Sequence, residues 1–208
     1  MKIDIEIVAG FLGAGKTTFI ESLIKNTFIP EEKIVVIQCE EGDKKLSFQD
    51  KLKEQIVIKK RENSIEYEYL KDIAEKYKPH RIIIEHNGTR ELETLIEVIY
   101  KEVLRNEFRV SSIFSLVDGV TFEILLKNMY NFIASPIINS DLIVVHNLKS
   151  LSNEEAKKVE KIIEELSSNG YILKLDHINL LDEKLKELNI LDKGFLKKMR
   201  FIFKKLRK

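Results

Sequence analysis

The 208-residue sequence predicts an α/β fold of three layers, a mainly parallel sheet flanked by helices. Three observations carry that prediction. Short runs rich in Ile and Val alternate with helix-patterned segments at the spacing of βαβ units. Most of these runs are apolar throughout rather than alternating, as strands covered on both faces are. The first run passes through a glycine-rich turn straight into a helix pattern.

Residues 3–9 form an Ile- and Val-rich strand that ends at Gly10. Thr17 to Lys25 continues as a helix with Phe19, Leu23 and Ile24 facing inward, and Pro30 closes the unit. "KIVVIQ" at 33–38 is a second strand, and the polar segment from Cys39 to Gln55 is expected to be a loop with a short helix. "QIVIKK" is a short strand whose trailing lysines suit a sheet edge. Ile65 to Lys78 reads as a helix with Ile65, Tyr69, Leu70, Ile73 and Tyr77 on its apolar side, stopped by Pro79. "RIIIEHNG" at 81–88 is a strand with its exit loop, followed by a helix from Glu91 to Leu104. "VSSIFSLVDG" at 110–119 is another strand, and residues 121–134 are helical in pattern. "SPIINSDLIVVHN" then predicts a turn and a strand at 141–145. Ser152 with Glu155 three residues on has the spacing of a capping box and opens a helix from Asn153 to Ser168. "YILKL" at 171–175 is the last strand. Residues 1–178 are therefore expected to form one domain and 179–208 a basic helical tail.

Composition narrows the classes of function. With 44% hydrophobic and 33% charged residues the chain reads as globular, and a net charge of +1 gives no overall pull toward nucleic acid or lipid. A single cysteine, Cys39, excludes an internal disulfide framework and fits a reducing compartment. The first residues carry no signal-peptide or membrane-span pattern, so a cytoplasmic protein is expected.

The turn after the first strand, Gly10-Phe-Leu-Gly-Ala-Gly-Lys16-Thr17, satisfies G-x-x-x-x-G-K-[ST] in the strand-turn-helix context that motif requires. Such a turn lets successive amides and a helix N-terminus converge on phosphates, the defining element of the P-loop NTPase fold. Gly10, Gly13, Ala14, Gly15, Lys16, Thr17 and Thr18 are the expected nucleotide-binding residues, with Lys16 on the β and γ phosphates and Thr17 on Mg²⁺. Acidic groups at neighbouring strand ends would complete the magnesium shell and position water. The candidates are Glu40 or Glu41, Glu85 and Asp118, with Gly88 placed to sense the γ phosphate.

The spelling is more specific than the motif. "GFLGAGKTT" from Gly10 to Thr18 resembles the opening of the CobW, HypB and UreG group of metal-handling GTPases, and of its CobW-like members in particular. Cys39-Glu40-Glu41-Gly42 is similar to the family's Asn-Glu-x-Gly, Glu85-His86-Asn87-Gly88 to its Glu-x-x-Gly switch, and Val117-Asp118 to its Val-Asp. The resemblance covers about residues 1–175. It implies binding and hydrolysis of GTP with Mg²⁺, coupled to maturation of a metallocentre or cofactor in a client protein. Glu85 and Gly88 would then join Lys16 in catalysis, with Thr17, Glu40 and Asp118 holding the metal.

The departures from the family matter equally. No cysteine occurs at about 55–68, where CobW-like proteins carry Cys-x-Cys-Cys. The guanine-reading Asn-Lys-x-Asp is here His146-Asn147-Leu148-Lys149, which keeps Asn147 as a nucleotide contact but puts a donor where guanine's two donors want a carboxylate. Ser47 stands near the position of a magnesium-side Asp in relatives. A loop near Leu175 and Asp176 is the other place from which base selection could come. The scattered soft ligands Cys39, His80, His86, His146 and His177 lack the short spacing of a dedicated site, so Mg²⁺ is the one metal expected.

The tail "LDKGFLKKMRFIFKKLRK" holds eight Lys or Arg against one Asp, with Leu196, Met199, Phe203 and Leu206 at helical steps. Docking on the parent domain or a partner, contact with an anionic membrane surface, and nucleic-acid contact compete for it. For the whole chain the leading expectation is a nucleoside triphosphatase, GTP first and ATP second, with a client protein and a homodimer both open. A nucleotide-gated accessory protein with little turnover and a small-molecule kinase are the rivals.

Overall fold

The computed structural model describes residues 2–29, 31–40, 42, 44–48, 54–101, 104 and 106–187. Among the described residues seven strands make one sheet in the order β3-β2-β4-β1-β5-β6-β7, and every neighbouring pair runs parallel. They are β1 (Ile3–Gly10), β2 (Ile34–Gln38), β3 (Ile56–Lys60), β4 (Arg81–Glu85), β5 (Phe108–Asp118), β6 (Leu142–His146) and β7 (Tyr171–Lys174). The helices are α1 (Lys16–Thr27), α2 (Tyr67–Tyr77), α3 (Leu92–Tyr100), α4 (Gly119–Asn128), α5 (Tyr130–Asn139), α6 (Asn153–Leu166) and α7 (Leu181–Glu187). β3 is an edge strand, as its lysines predict.

Period-two alternation sorts each strand's side chains onto two buried faces. Val8, Val36, Ile83, Phe114 and Val144 meet Phe19, Ile20, Leu23 and Ile24 of α1 and Leu181 and Leu185 of α7. Their neighbours Ile7, Val35, Ile82 and Ile84 meet α2 and α3 on the opposite face, while Ile143 and Val145 meet α5 and α6 there. Continuous apolar strands are the consequence of being covered twice. The capping box of α6 is formed in both directions between Ser152 and Glu155.

Three segments depart from the sequence reading. Residues 121–134 are not one helix: α4 ends at Asn128, Met129 adopts φ −138°, and α5 restarts at Tyr130. Pro136, expected in a turn, lies inside α5. The proline costs the helix one donor, the one to the Phe132 carbonyl, while the carbonyls of the last turn are served by side chains: Asn139 Nδ2 donates to Ser135 O at 2.9 Å and Ser140 Oγ to Pro136 O at 2.6 Å. The helix expected from Glu91 to Leu104 also stops early, at Tyr100, where the Lys101 and Leu104 amides close turns on Val98 and Lys101. Glu41, part of the 39–55 loop and the tail stripe from Leu196 to Leu206 lie outside the described residues. The start of the tail region, α7, packs on α1, with Asp182 accepting from Lys25 and Asn26, both at 2.8 Å. No helix among the described residues is long and apolar enough to cross a membrane.

At the end of the sheet away from Gly10, Arg81 is 4% exposed and gathers three partners. Its guanidinium donates to Glu6 at 3.3 Å, Glu32 at 3.2 Å and Thr27 at 2.8 Å. Burial pushes the Glu6 carboxyl above its ordinary range, and the Arg81 charge opposes that rise. Arg81→Ala would strand a buried carboxyl, so it is expected to lower stability in urea unfolding by about 3–5 kcal/mol. Arg109→Ala, which breaks an exposed pair with Asp4, should change stability by less than about 1 kcal/mol.

Candidate functional site

Parallel register builds the site. β1 lies between β4 and β5, so the loop leaving β1 emerges among the carboxyl ends of its neighbours. Val8 is paired with Glu85 and Gln38 with Glu85, which brings the ends of β1, β4 and β2 to one edge. The loop from Gly10 then turns into α1, whose N-cap is Gly15 at φ +89°. An L side chain there would be strained, and its Cβ would meet Ile178 Cγ1 at 2.7 Å. No side chain caps α1 and no acidic residue occupies its first turn. Its leading amides therefore have no competing anion from the helix itself, the condition for receiving a phosphate.

Lys16 is 3% exposed and lies back over this loop. Its ammonium donates to Gly10 O at 2.8 Å and Phe11 O at 3.0 Å and pairs with Glu40. Thr17 Oγ1 donates to Glu85 Oε1 at 2.7 Å, and Gln38 Nε2 donates to Glu85 Oε2 at 2.6 Å. Glu85, 3% exposed, thus has a donor on each oxygen. Gln38 is a residue the sequence reading missed; the available signal was a polar residue closing the apolar run of β2. Lys44 was missed too: it donates to Thr18 Oγ1 at 3.2 Å and pairs with Glu21. Lys16, Thr17, Thr18, Glu40, Lys44 and Glu85 line a cavity of about 360 Å³ beside Gly13 and Gly15.

Other sequence-selected residues sit elsewhere. Asp118 caps α4, accepting from Val120 N at 3.0 Å, and lines a separate, largely apolar cavity of about 230 Å³ on the β5 side of the loop. Ser47 is exposed, its amide bonded to Glu21 at 2.8 Å. Gly88 lies on the phosphate loop: a Cβ at this position would fall 2.5 Å from Gly10 O and 2.8 Å from Phe11 Cα. Asn147 takes φ +62° and opens a short 3₁₀ turn at Leu148–Ser150. Before it, His146 Nε2 lies 3.0 Å from Ala14 O, so this nitrogen carries the proton and donates.

The oxygens of Thr17, Glu40 and Glu85 beside two lysines suit a hard cation that takes a few protein ligands and completes its shell with phosphate and water. Soft-metal chemistry fits less well. Burial pushes the Cys39 thiol up to about 12, which keeps it protonated at neutral pH. Among the described residues no three His, Cys, Asp or Glu side chains converge as metal ligands would. His86, 5% exposed, is pulled down to about 4 by burial and then by the Lys16 charge, so it is neutral at pH 7.

The zinc-bound YjiA GTPase of E. coli superposes with a TM-score of 0.62 at 24% identity, over 85% of this chain and 58% of that one. The hydrogenase maturation factor HypB of Archaeoglobus fulgidus superposes with a TM-score of 0.50 at 16% identity, over 90% of each chain. This chain therefore spans little more than half the length of YjiA, and the likeness to both is one of fold. No curated protein matches the chain. The model of the CobW/HypB/UreG nucleotide-binding domain matches residues 4–174, which covers the phosphate loop, Gln38, Glu85 and the loop after β6. The chain belongs to the CobW/HypB/UreG family and carries its nucleotide-binding domain.

Proposed function

We propose that the chain, acting in the cytoplasm, binds a nucleoside triphosphate, GTP before ATP, with Mg²⁺, hydrolyses its terminal phosphoanhydride, and couples that to maturation of a metallocentre or cofactor in a client protein. The observation that carries the reading is the joined set Lys16, Thr17, Glu85 and Gln38 on the phosphate loop. The client half rests on family membership, in which one solved relative is a zinc-bound GTPase and another a hydrogenase maturation factor.

Thr17 and Glu40 would hold Mg²⁺, which would supply neutralisation of the charge that develops on the phosphates. Lys16 would exchange the Gly10 and Phe11 carbonyls for phosphate oxygens, an exchange of neutral acceptors for charged ones. Glu40 competes for the same ammonium, so phosphate entry would break that pair and leave its carboxylate available to the metal. Glu85 and Gly88 would report the γ phosphate, because Glu85 is tied to Thr17 and Gly88 rests on the Gly10 carbonyl.

A reading as a slow, partner-stimulated switch gains support from Glu85 having both oxygens engaged. A carboxylate held by Thr17 and Gln38 is poorly placed to orient water until one bond is released. Lys16→Ala should reduce magnesium-dependent phosphate release by roughly 10²–10³-fold, measured with GTP and ATP. Tight binding by the unaltered protein with no turnover, with or without candidate clients, would leave the accessory role and remove the enzymatic one.

The switch loop also carries a pH dependence of stability. His86 has a folded value of about 4 against 6.5 for the unfolded chain, so the unfolded state binds more protons between those limits. Its contribution is fully present above pH 6.5 and is lost as pH falls toward 4, by about 3 kcal/mol over that interval. Urea unfolding at stepped pH should show this loss, and His86→Gln should flatten it.

A further inference from the structure

The phosphate loop divides the carboxyl edge of the sheet in two. On the β4 and β2 side stand Glu85, Gln38 and Glu40, the groups that meet Thr17 and Lys16. On the β5, β6 and β7 side two further loops touch the phosphate loop. His146, at the start of one, bonds Ala14 O, and Ile178, in the other, packs on Gly15. A nucleotide with its terminal phosphates at Lys16 and Thr17 and its γ end toward Glu85 must extend its sugar and base toward these two loops.

The loops are bridged there by one ion pair. Lys149 Nζ, from the 3₁₀ turn after β6, donates to Asp176 Oδ2, just past β7, at 2.5 Å. The side chains are 75% and 52% exposed, so both are open to a ligand. The carboxylate that is missing from position 149 is thus presented beside it from a different strand end.

We propose that Asp176 is the base-selecting residue of this site and that it selects guanine; the inference rests on the nucleotide-binding reading above. An ionised carboxylate offers two acceptors, matching the adjacent N1–H and 2-amino donors of guanine. Adenine presents a lone pair at N1 and no donor at position 2, so it places an acceptor against an anion. Lys149 has three hydrogens; it can keep one on Asp176 and give another to guanine O6, whose acceptor lies next to the two donors. The ion pair holds Asp176 aimed before the base arrives, which limits the ordering cost of binding.

The test is calorimetric titration of the full chain with Mg²⁺ and the diphosphates of guanosine, inosine, xanthosine and adenosine. The expected order is guanosine over adenosine by about 10–100-fold, with inosine, which lacks the 2-amino group, between them. Asp176→Asn should lose the guanosine preference and gain affinity for xanthosine diphosphate, whose 2-oxo group accepts from an amide; Asp176→Ala should lose selection without that gain. Equal binding of guanosine and adenosine diphosphates by the unaltered protein, or a guanosine preference that survives both substitutions, overturns the proposal while leaving nucleotide binding intact. Absence of binding by any of the four nucleotides overturns the parent reading and this one with it.

Discussion

Thr17 reaches Glu85 across 2.7 Å because β1 and β4 are paired with Val8 opposite Glu85, and the arrangement of the site follows from that bond. A register shift of one residue would turn Glu85 to the other face of the sheet and separate it from the phosphate loop. The same register, carried one strand further, places Gln38 on the second oxygen of Glu85. Two donors make an almost fully buried carboxylate tolerable, since burying it unpaired would be costly. What anchors Glu85 also fixes the exit of β4, so Gly88 lies against the phosphate loop and His86, its amide bonded to Val8 O, is buried rather than in solvent.

The local parts of this were legible in the sequence. A strand, a glycine turn and Lys16-Thr17 are contiguous, and their geometry depends little on the rest of the chain. Glu85 could be recognised as an acidic end to an apolar run. Gln38 could not, because a polar residue closing a strand acquires meaning only when register sets it opposite Glu85. Asp118 showed the reverse: an Asp before Gly at a strand end reads equally as a ligand and as a helix cap, and the chain uses it on the Val120 amide. Pro136 misled because proline marks a turn by default, whereas inside α5 it costs the helix a single backbone donor. The Lys149 and Asp176 pair joins residues 27 apart, beyond any local pattern.

Charge is spent unevenly across the fold. A net charge of +1 conceals buried pairs at both ends of the sheet, Arg81 with Glu6 and Glu32 at one and Lys16 with Glu40 at the other. The first is built from Arg81 and several fixed acceptors, and its removal would leave uncompensated charge. The second involves Lys16, which a phosphate would also claim, and so it can be exchanged. The contrast distinguishes a scaffold from a binding edge: the amino end of the sheet is closed by its own partners, while the carboxyl end holds partners that an anion can displace.

If the bond from Thr17 to Glu85 couples the phosphate loop to the β4 exit, amide hydrogen exchange over residues 85–91 must respond to the γ phosphate. The protein would be compared with GDP and Mg²⁺ and with a nonhydrolysable GTP analogue and Mg²⁺, using residues 13–18 as the internal record of binding. Protection of 13–18 in both states, with exchange over 85–91 differing by about tenfold or more between them, is the predicted result. Equal protection of 13–18 with unchanged exchange over 85–91 would contradict it, since the bond from Thr17 to Glu85 would then transmit nothing.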